Sequence, residues 1–129
     1  MGGELEAGAV DEEVVFDHEK LDVYRVTREL VTLISSLLKR NVHRDLREQV
    51  DRSSTSILFN IAEGAGKTAQ ADKQRFYEIA RGSATETAAQ LDVLHIRGVM
   101  TTEEYRTARL LLLRVVQMLS RLSGGSRRS

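Results

Sequence analysis

The 129-residue chain contains no cysteine, no proline and no tryptophan, and only 5% of its residues are aromatic. Without cysteine it can form no disulfide bond and no thiolate zinc site, and it offers no cysteine nucleophile. This composition is typical of a protein from a reducing cytosol. Because proline is the residue that most strongly breaks helices, its absence favours long uninterrupted helices. We therefore expect an all-helical, cytoplasmic protein.

Long apolar runs are also missing. No run approaches the ~20 apolar residues that a membrane-spanning helix needs. The first residues are acidic, whereas a secretory signal begins with basic residues followed by an apolar stretch. We therefore expect no membrane partner. The chain is long enough for one domain with a core and short for two.

The charges sum to zero but are distributed unevenly. Residues 1–20 hold seven acidic residues and one lysine, a net charge of −6, so the other 109 residues carry +6. From Tyr105 to the end there are six arginines and no acidic residue. The sequence thus combines an acidic N-terminal arm with a basic body.

Apolar residues recur at helical spacing in four segments, approximately 18–40, 44–63, 70–97 and 101–122. Glycines 64, 66 and 98 follow two of them, as expected where helices end. The lengths and short connections predict an all-α, antiparallel up-down-up-down four-helix bundle over residues 16–122. Residues 1–15 and 123–129 are Gly-rich and without periodicity, and we expect them to be disordered tails.

Two neighbouring rows of side chains follow the second predicted helix. The apolar row consists of Leu46, Val50, Ile57 and Ile61. The polar row has heptad-like spacing and consists of Gln49, Ser53, Ser56, Asn60 and Glu63. Both rows fall within an arc of about 120°, so the polar groups border the buried face. Short polar groups at such positions need hydrogen-bond partners inside the bundle.

The third predicted helix is rich in small residues and contains a mid-helix glycine, Gly82, which costs ~1 kcal/mol against alanine. We interpret Gly82 as a point of close backbone approach to the second helix. Asn60 and Glu86 are expected to be buried partners. Solvated positions and a ligand or catalytic site remain the alternatives. The polar residues of the two helices predict a structural network of Gln49, Arg52, Ser56, Asn60, Glu63, Arg81, Ser83 and Glu86.

Two segments carry a family resemblance: LREQVDRSSTSILFNIAEG at residues 46–64 and RFYEIARGSATE at residues 75–86. Their order and separation resemble those of the small four-helix-bundle proteins encoded in intervening sequences of 23S rRNA genes. The resemblance runs from about Phe16 to Leu122. It implies a four-helix bundle and a homopentamer, and it implies no reaction, because members have no established enzymatic activity. A related branch resembles the accessory proteins of diversity-generating retroelements, which are basic pentamers that bind nucleic acid and a reverse transcriptase.

Residues 61–68, IAEGAGKT, are similar to a nucleotide-binding P-loop, but Ile61 stands where the first glycine is required. A di-iron bundle site needs two Glu-x-x-His pairs, and the nearest match is the single Asp92-x-x-His95. We therefore predict no catalytic residue, cofactor, metal site or small-molecule substrate.

The fourth predicted helix is the stronger functional lead. Its outward face combines leucines with arginines, namely Arg106, Arg109, Leu110, Leu113, Arg114 and Arg121. Leucines among arginines favour contact with another subunit, although a solvated face with isolated leucines is the alternative. Two functions remain: an oligomeric scaffold with a protein partner, or a nucleic-acid-binding accessory factor that contacts RNA or DNA phosphates.

Overall fold

The computed structural model describes residues 15–124, which form four α-helices and no strand. After a 3₁₀ turn at Asp17–Lys20, the helices are α1 (Asp22–Leu37), α2 (Arg44–Ala65), α3 (Gln70–Ile96) and α4 (Thr102–Leu122). The predicted all-α four-helix bundle is confirmed. The predicted tails lie almost entirely outside the described range. No helix in that range is long and apolar enough to cross a membrane.

The core is built from one apolar face of every helix, in agreement with the 3.6-residue periodicity. The largest fully buried apolar side chains are Val23, Leu30, Ile34, Leu37, Val50, Ile57, Ile61, Leu91, Leu94, Val115 and Leu119. Burying a side chain of this size contributes roughly 1.5–3 kcal/mol. The arrangement leaves the opposite face of each helix on the outside of the bundle.

Contacts between neighbouring helices show the directions in which the helices run. The Oγ of Ser56 lies 2.9 Å from that of Ser83, and Gly64, farther along α2, packs against Tyr77, which is earlier in α3. Residue numbers therefore rise along α2 as they fall along α3, so the two helices are antiparallel. The same reasoning makes α3 and α4 antiparallel, because Asp92 bonds Tyr105 and Arg81 bonds Ser120.

The first helix ends earlier than its periodicity predicts, at Leu37 instead of about residue 40. Arg47 in α2 donates to the carbonyl oxygens of Leu38 and Val42 at 3.0 and 2.8 Å. These bonds satisfy backbone acceptors in the connection, where helical bonds are absent. Arg47 is thus a structural residue of the α1–α2 connection.

Gly98 ends the third helix as expected. It has a φ of +76°, and the amide of the following Val99 donates to the carbonyl of Leu94 at 2.9 Å. This is the Schellman arrangement that glycine favours, because other residues rarely adopt a positive φ.

The prediction for Gly82 was wrong. Gly82 is exposed, and a Cβ placed on it would meet no atom within 4 Å. The close approach occurs at Gly64, which the sequence suggested as a helix stop but which lies inside α2. A Cβ there would come within 2.9 Å of the Tyr77 ring. Gly64 is therefore the glycine that lets α2 and α3 pack closely.

The C-terminal boundary also differs from the prediction. Ser123, placed in a disordered tail by its Gly/Ser-rich surroundings, is only 1% exposed. Its carbonyl accepts a hydrogen bond from the Gln74 side chain of α3. This long-range contact, which local composition cannot reveal, holds the chain against the bundle through Ser123.

Candidate functional site between the second and third helices

The most buried polar cluster of the described chain joins α2 to α3. The Ser53 hydroxyl lies 2.8 Å from the Thr87 hydroxyl and donates to the side-chain oxygen of Gln90. The Gln90 amide nitrogen contacts the backbone carbonyl of Gln49 at 3.4 Å. All three side chains are buried. Because each polar group has a partner, the cluster can fix the register of the two helices without an unsatisfied buried atom.

A second layer lies next to this cluster and is half-buried. Here the Ser56 and Ser83 hydroxyls bond each other across the helices at 2.9 Å. The Asn60 amide nitrogen donates to the Ser56 carbonyl at 2.9 Å and to its hydroxyl at 3.1 Å. Of the eight residues predicted to form a network, the structure joins these three.

The side chains of the other five predicted members form no hydrogen bond with these three in the described chain. The side chains of Gln49, Arg52, Glu63 and Glu86 are exposed. Glu63 forms an ion pair with Lys67 at 3.1 Å. Arg81 donates to Ser120 of α4 at 3.1 Å, which places it on the opposite side of α3.

The expected pairing of Asn60 with Glu86 does not occur in the described chain. Asn60 instead bonds Ser56, one turn earlier in its own helix. Glu86 is one turn past Ser83, on the rim that faces out of the bundle, where its carboxylate keeps its hydration. The helical spacing had placed it on the border of the buried face, and only the packing decided on which side of that border it falls.

Sequence reasoning missed Thr87 and Gln90 as the centre of the network. The signal was present, because Ser83, Thr87 and Gln90 follow one another at spacings of four and three. This row is the counterpart of the polar row on α2.

The polar residues border a groove of about 190 Å³ on the outside of the α2–α3 pair. Its lining residues are Gln49, Arg52, Ser53, Ser56, Ser83 and Glu86. Hydroxyl groups are present in the groove, while Arg52 and Glu86 stand exposed on opposite helices. Such a groove can form hydrogen bonds and ion pairs with a partner surface. Its lining contains one carboxylate, that of Glu86, and no histidine.

The two other sites suggested by sequence patterns have structural explanations within residues 15–124. In the P-loop-like segment, residues 61–65 belong to α2, whereas a P-loop connects a strand to a helix. His95 stacks on the Tyr105 ring, with centroids 4.4 Å apart. In that range no group of three or more His, Asp or Glu side chains is placed to hold a metal ion.

The outward face of α4 forms the second candidate surface. Leu110 is 63% and Leu113 is 45% exposed. All four predicted arginines, Arg106, Arg109, Arg114 and Arg121, are exposed. The face therefore presents apolar area together with an excess of positive charge.

Comparison with known proteins identifies the family. The chain matches the family described as 23S rRNA-intervening sequence protein over residues 19–121. It belongs to that family. The fold is similar to that of a solved protein of unknown function from the S23 ribosomal protein family of Bacteroides thetaiotaomicron, with a TM-score of 0.70 and 26% identity. The match covers 78% of this chain and 97% of the Bacteroides chain. A comparison with curated proteins gave no match.

Proposed function

We propose that this protein acts without catalysis, in the cytoplasm, as an oligomeric scaffold whose helix faces bind other protein surfaces. The observation that carries the proposal is the set of large apolar side chains on the outer faces of the helices. Phe59 is 64%, Ile79 is 41% and Ile96 is 81% exposed, in addition to the two leucines of α4. Leu110 and Leu113 lie together on the outward face of α4. Exposed apolar side chains grouped in this way are typical of surfaces that bind other proteins.

The family resemblance supports a homopentamer as the assembled form. Multi-angle light scattering should then give a mass near five times 14.5 kDa at micromolar concentration. A stable monomer at that concentration would refute the scaffold proposal. A different subunit number would refute only the pentamer.

Nucleic-acid binding is the second candidate, and the arginines of α4 favour it. Repeating this face around a ring would multiply its positive field. Against it stand the acidic N-terminal arm and the overall neutral charge.

A titration of structured RNA and duplex DNA at several salt concentrations separates the two functions. Binding through phosphates should weaken steeply with salt, and each lost phosphate contact should lower the log–log slope by roughly 0.9 for duplex DNA. Arg114→Gln, on α4, should therefore weaken binding, whereas Arg28→Gln, an exposed matched control on α1, should not. Absence of binding at low salt would leave the scaffold function alone.

A further inference from the structure

Beyond one end of the polar groove described above, the outer edges of α2 and α3 carry exposed apolar side chains. The Ser56–Ser83 hydrogen bond marks the boundary between the groove and these side chains. Phe59 follows Ser56 by three residues, and Ile79 precedes Ser83 by four. Because the helices are antiparallel, both lie about one turn from this bond in the same direction. The two exposed apolar side chains therefore stand on the outer edges of α2 and α3 at a similar height.

The polar groove itself carries one charge of each sign. Arg52 precedes Ser56 by four residues and Glu86 follows Ser83 by three, so both lie about one turn away in the opposite direction. Neither has an ion-pair partner among residues 15–124. Seven residues, or ~10 Å of helix, thus separate Arg52 from Phe59 on one edge and Glu86 from Ile79 on the other.

The outward face of α4 repeats this spacing with the charges reversed. Glu103 precedes Leu110 by seven residues, and Arg106 precedes Leu113 by seven. Both charged side chains are exposed, and neither forms an ion pair with another described residue. Because seven residues make about two turns, each leucine shares an edge of α4 with its charged residue.

We infer that α4 of one copy of this chain docks into the α2–α3 groove of a second copy. Leu110 packs near Phe59 and Leu113 near Ile79. Two helical turns away, Glu103 meets Arg52 and Arg106 meets Glu86. This inference rests on the proposed oligomeric function, because it specifies the surfaces through which the oligomer forms.

The directions of the helices agree with this docking. The charge match requires the docked α4 to run parallel to α2, and α4 and α2 of one chain also run in the same direction. With α4 in that orientation, the right-handed winding of the helices places the Leu110 edge over α2 and the Leu113 edge over α3. The two copies then have the same orientation and contact each other through different surfaces. Such a head-to-tail contact closes into a ring when the rotation between copies permits.

The docking also gives Gly82 a role. Gly82 lies between Ile79 and Glu86 on the outer face of α3, at spacings of three and four residues. A Cβ there would meet no atom of its own chain. The open space allows a docked helix to approach the α3 backbone closely, which would offset the cost of a mid-helix glycine.

Two complementary variants test the inference. Phe59→Glu with Ile79→Glu blocks the groove and leaves α4 intact, while Leu110→Glu with Leu113→Glu blocks α4 and leaves the groove intact. Because all four side chains are exposed, each variant should keep its helical circular dichroism spectrum. Each variant alone should be monomeric by light scattering. An equimolar mixture should form a 1:1 dimer, because one intact groove and one intact α4 remain.

A charge exchange tests the register of the contact. Glu86→Arg should weaken association of the intact protein about tenfold, because it places two positive charges opposite each other. Combining it with Arg106→Glu should restore most of that affinity. Arg28→Glu on α1 is the control and should leave the mass unchanged. No rescue by the double exchange would overturn the register.

The outcomes separate the inference from the proposed function. If the unaltered protein is monomeric, both fail. If it is oligomeric but the blocked variants keep its mass, or if their mixture forms no dimer, the docking inference fails and the scaffold proposal stands.

Discussion

At the scale of the residue, the alignment of α2 and α3 depends on a few small polar groups. Ser53 is buried and bonds both Thr87 and Gln90. Removing its hydroxyl leaves the buried side-chain oxygen of Gln90 without its donor, while Thr87 keeps its bond to the Ser83 carbonyl. A buried polar group left without a partner costs about 1–3 kcal/mol. The neighbouring Ser56 is only half-buried, so water can replace its hydroxyl.

The first prediction compares these two serines. Ser53→Ala should lower the free energy of unfolding by about 1–3 kcal/mol, and Ser56→Ala should lower it less. Urea denaturation at one fixed protein concentration measures both values. Equal, near-zero effects would show that the buried cluster does not hold the two helices in register.

The second prediction compares two glycines that both lie within helices, Gly64 in α2 and Gly82 in α3. Gly64→Ala forces a methyl group against the buried Tyr77 ring and should destabilise the fold by about 1–3 kcal/mol. Gly82→Ala meets no atom and should stabilise α3 by up to about 1 kcal/mol.

Both glycine variants are best measured in the Leu110→Glu/Leu113→Glu background, where assembly through α4 is blocked and cannot contribute. Effects of the same sign at the two positions would contradict this assignment of close approach to Gly64.

Among the elements, the start of α4 is anchored to the connection between α1 and α2. The Arg40 guanidinium donates to both carboxylate oxygens of Glu104 at 2.8 and 2.7 Å, and to the Val99 carbonyl at 2.9 Å. Glu104 also accepts from the Thr101 amide, while Thr101 accepts from the Glu104 amide. This capping box satisfies two amides that the helix itself leaves free.

The third prediction follows from the charge on Glu104. The hydrogen bonds from Arg40, and then from the Thr101 amide, lower the pKa of Glu104 from 4.5 to about 2. Since the folded-state pKa lies below the unfolded one, the stabilisation is present above pH 4.5 and is lost as the pH falls towards 2. Glu104→Gln should therefore be less stable than the unaltered protein at pH 7, and the difference should shrink in acid.

Thermal unfolding of both proteins between pH 7 and pH 2 tests this expectation. Arg25→Gln is a suitable control, because it removes an exposed ion pair within one helix, the Arg25–Asp22 pair. Such pairs contribute little. A constant difference between the Glu104 variant and the unaltered protein over the whole pH range would refute the proposed role of its carboxylate.

At the scale of the whole molecule, stability and assembly are expected to be linked. An assembled protein gains stability from association that an isolated chain lacks. The fourth prediction is that the melting temperature rises with protein concentration for the unaltered chain and stays constant for the Leu110→Glu/Leu113→Glu variant. Circular dichroism melts over a hundredfold concentration range measure this. A melting temperature that is independent of concentration in both proteins would contradict the docking of α4 into the α2–α3 groove.

Local patterns in the sequence were sufficient to predict the fold class and most of the helix boundaries. Apolar periodicity is a local property of each helix, and Gly98 and the Thr101–Glu104 pair end or begin helices through bonds between nearby residues. The two motif segments were also sufficient to recognise the family, which the match over residues 19–121 confirms.

Which polar residues meet depends on how the helices pack against each other. The row on α2 and the row on α3 were both visible in the sequence, but the relative rotation of the two helices placed Ser53 inside with Thr87 and Gln90 and left Glu86 outside. The same packing made Gly64, and not Gly82, the point of close approach. The helical repeat assigns a side chain to a face of its helix only to within about one residue, or 100° of arc. A smaller rotation decides whether a side chain near the edge of that face is buried or exposed. That rotation is set by contacts between residues that are far apart in the chain.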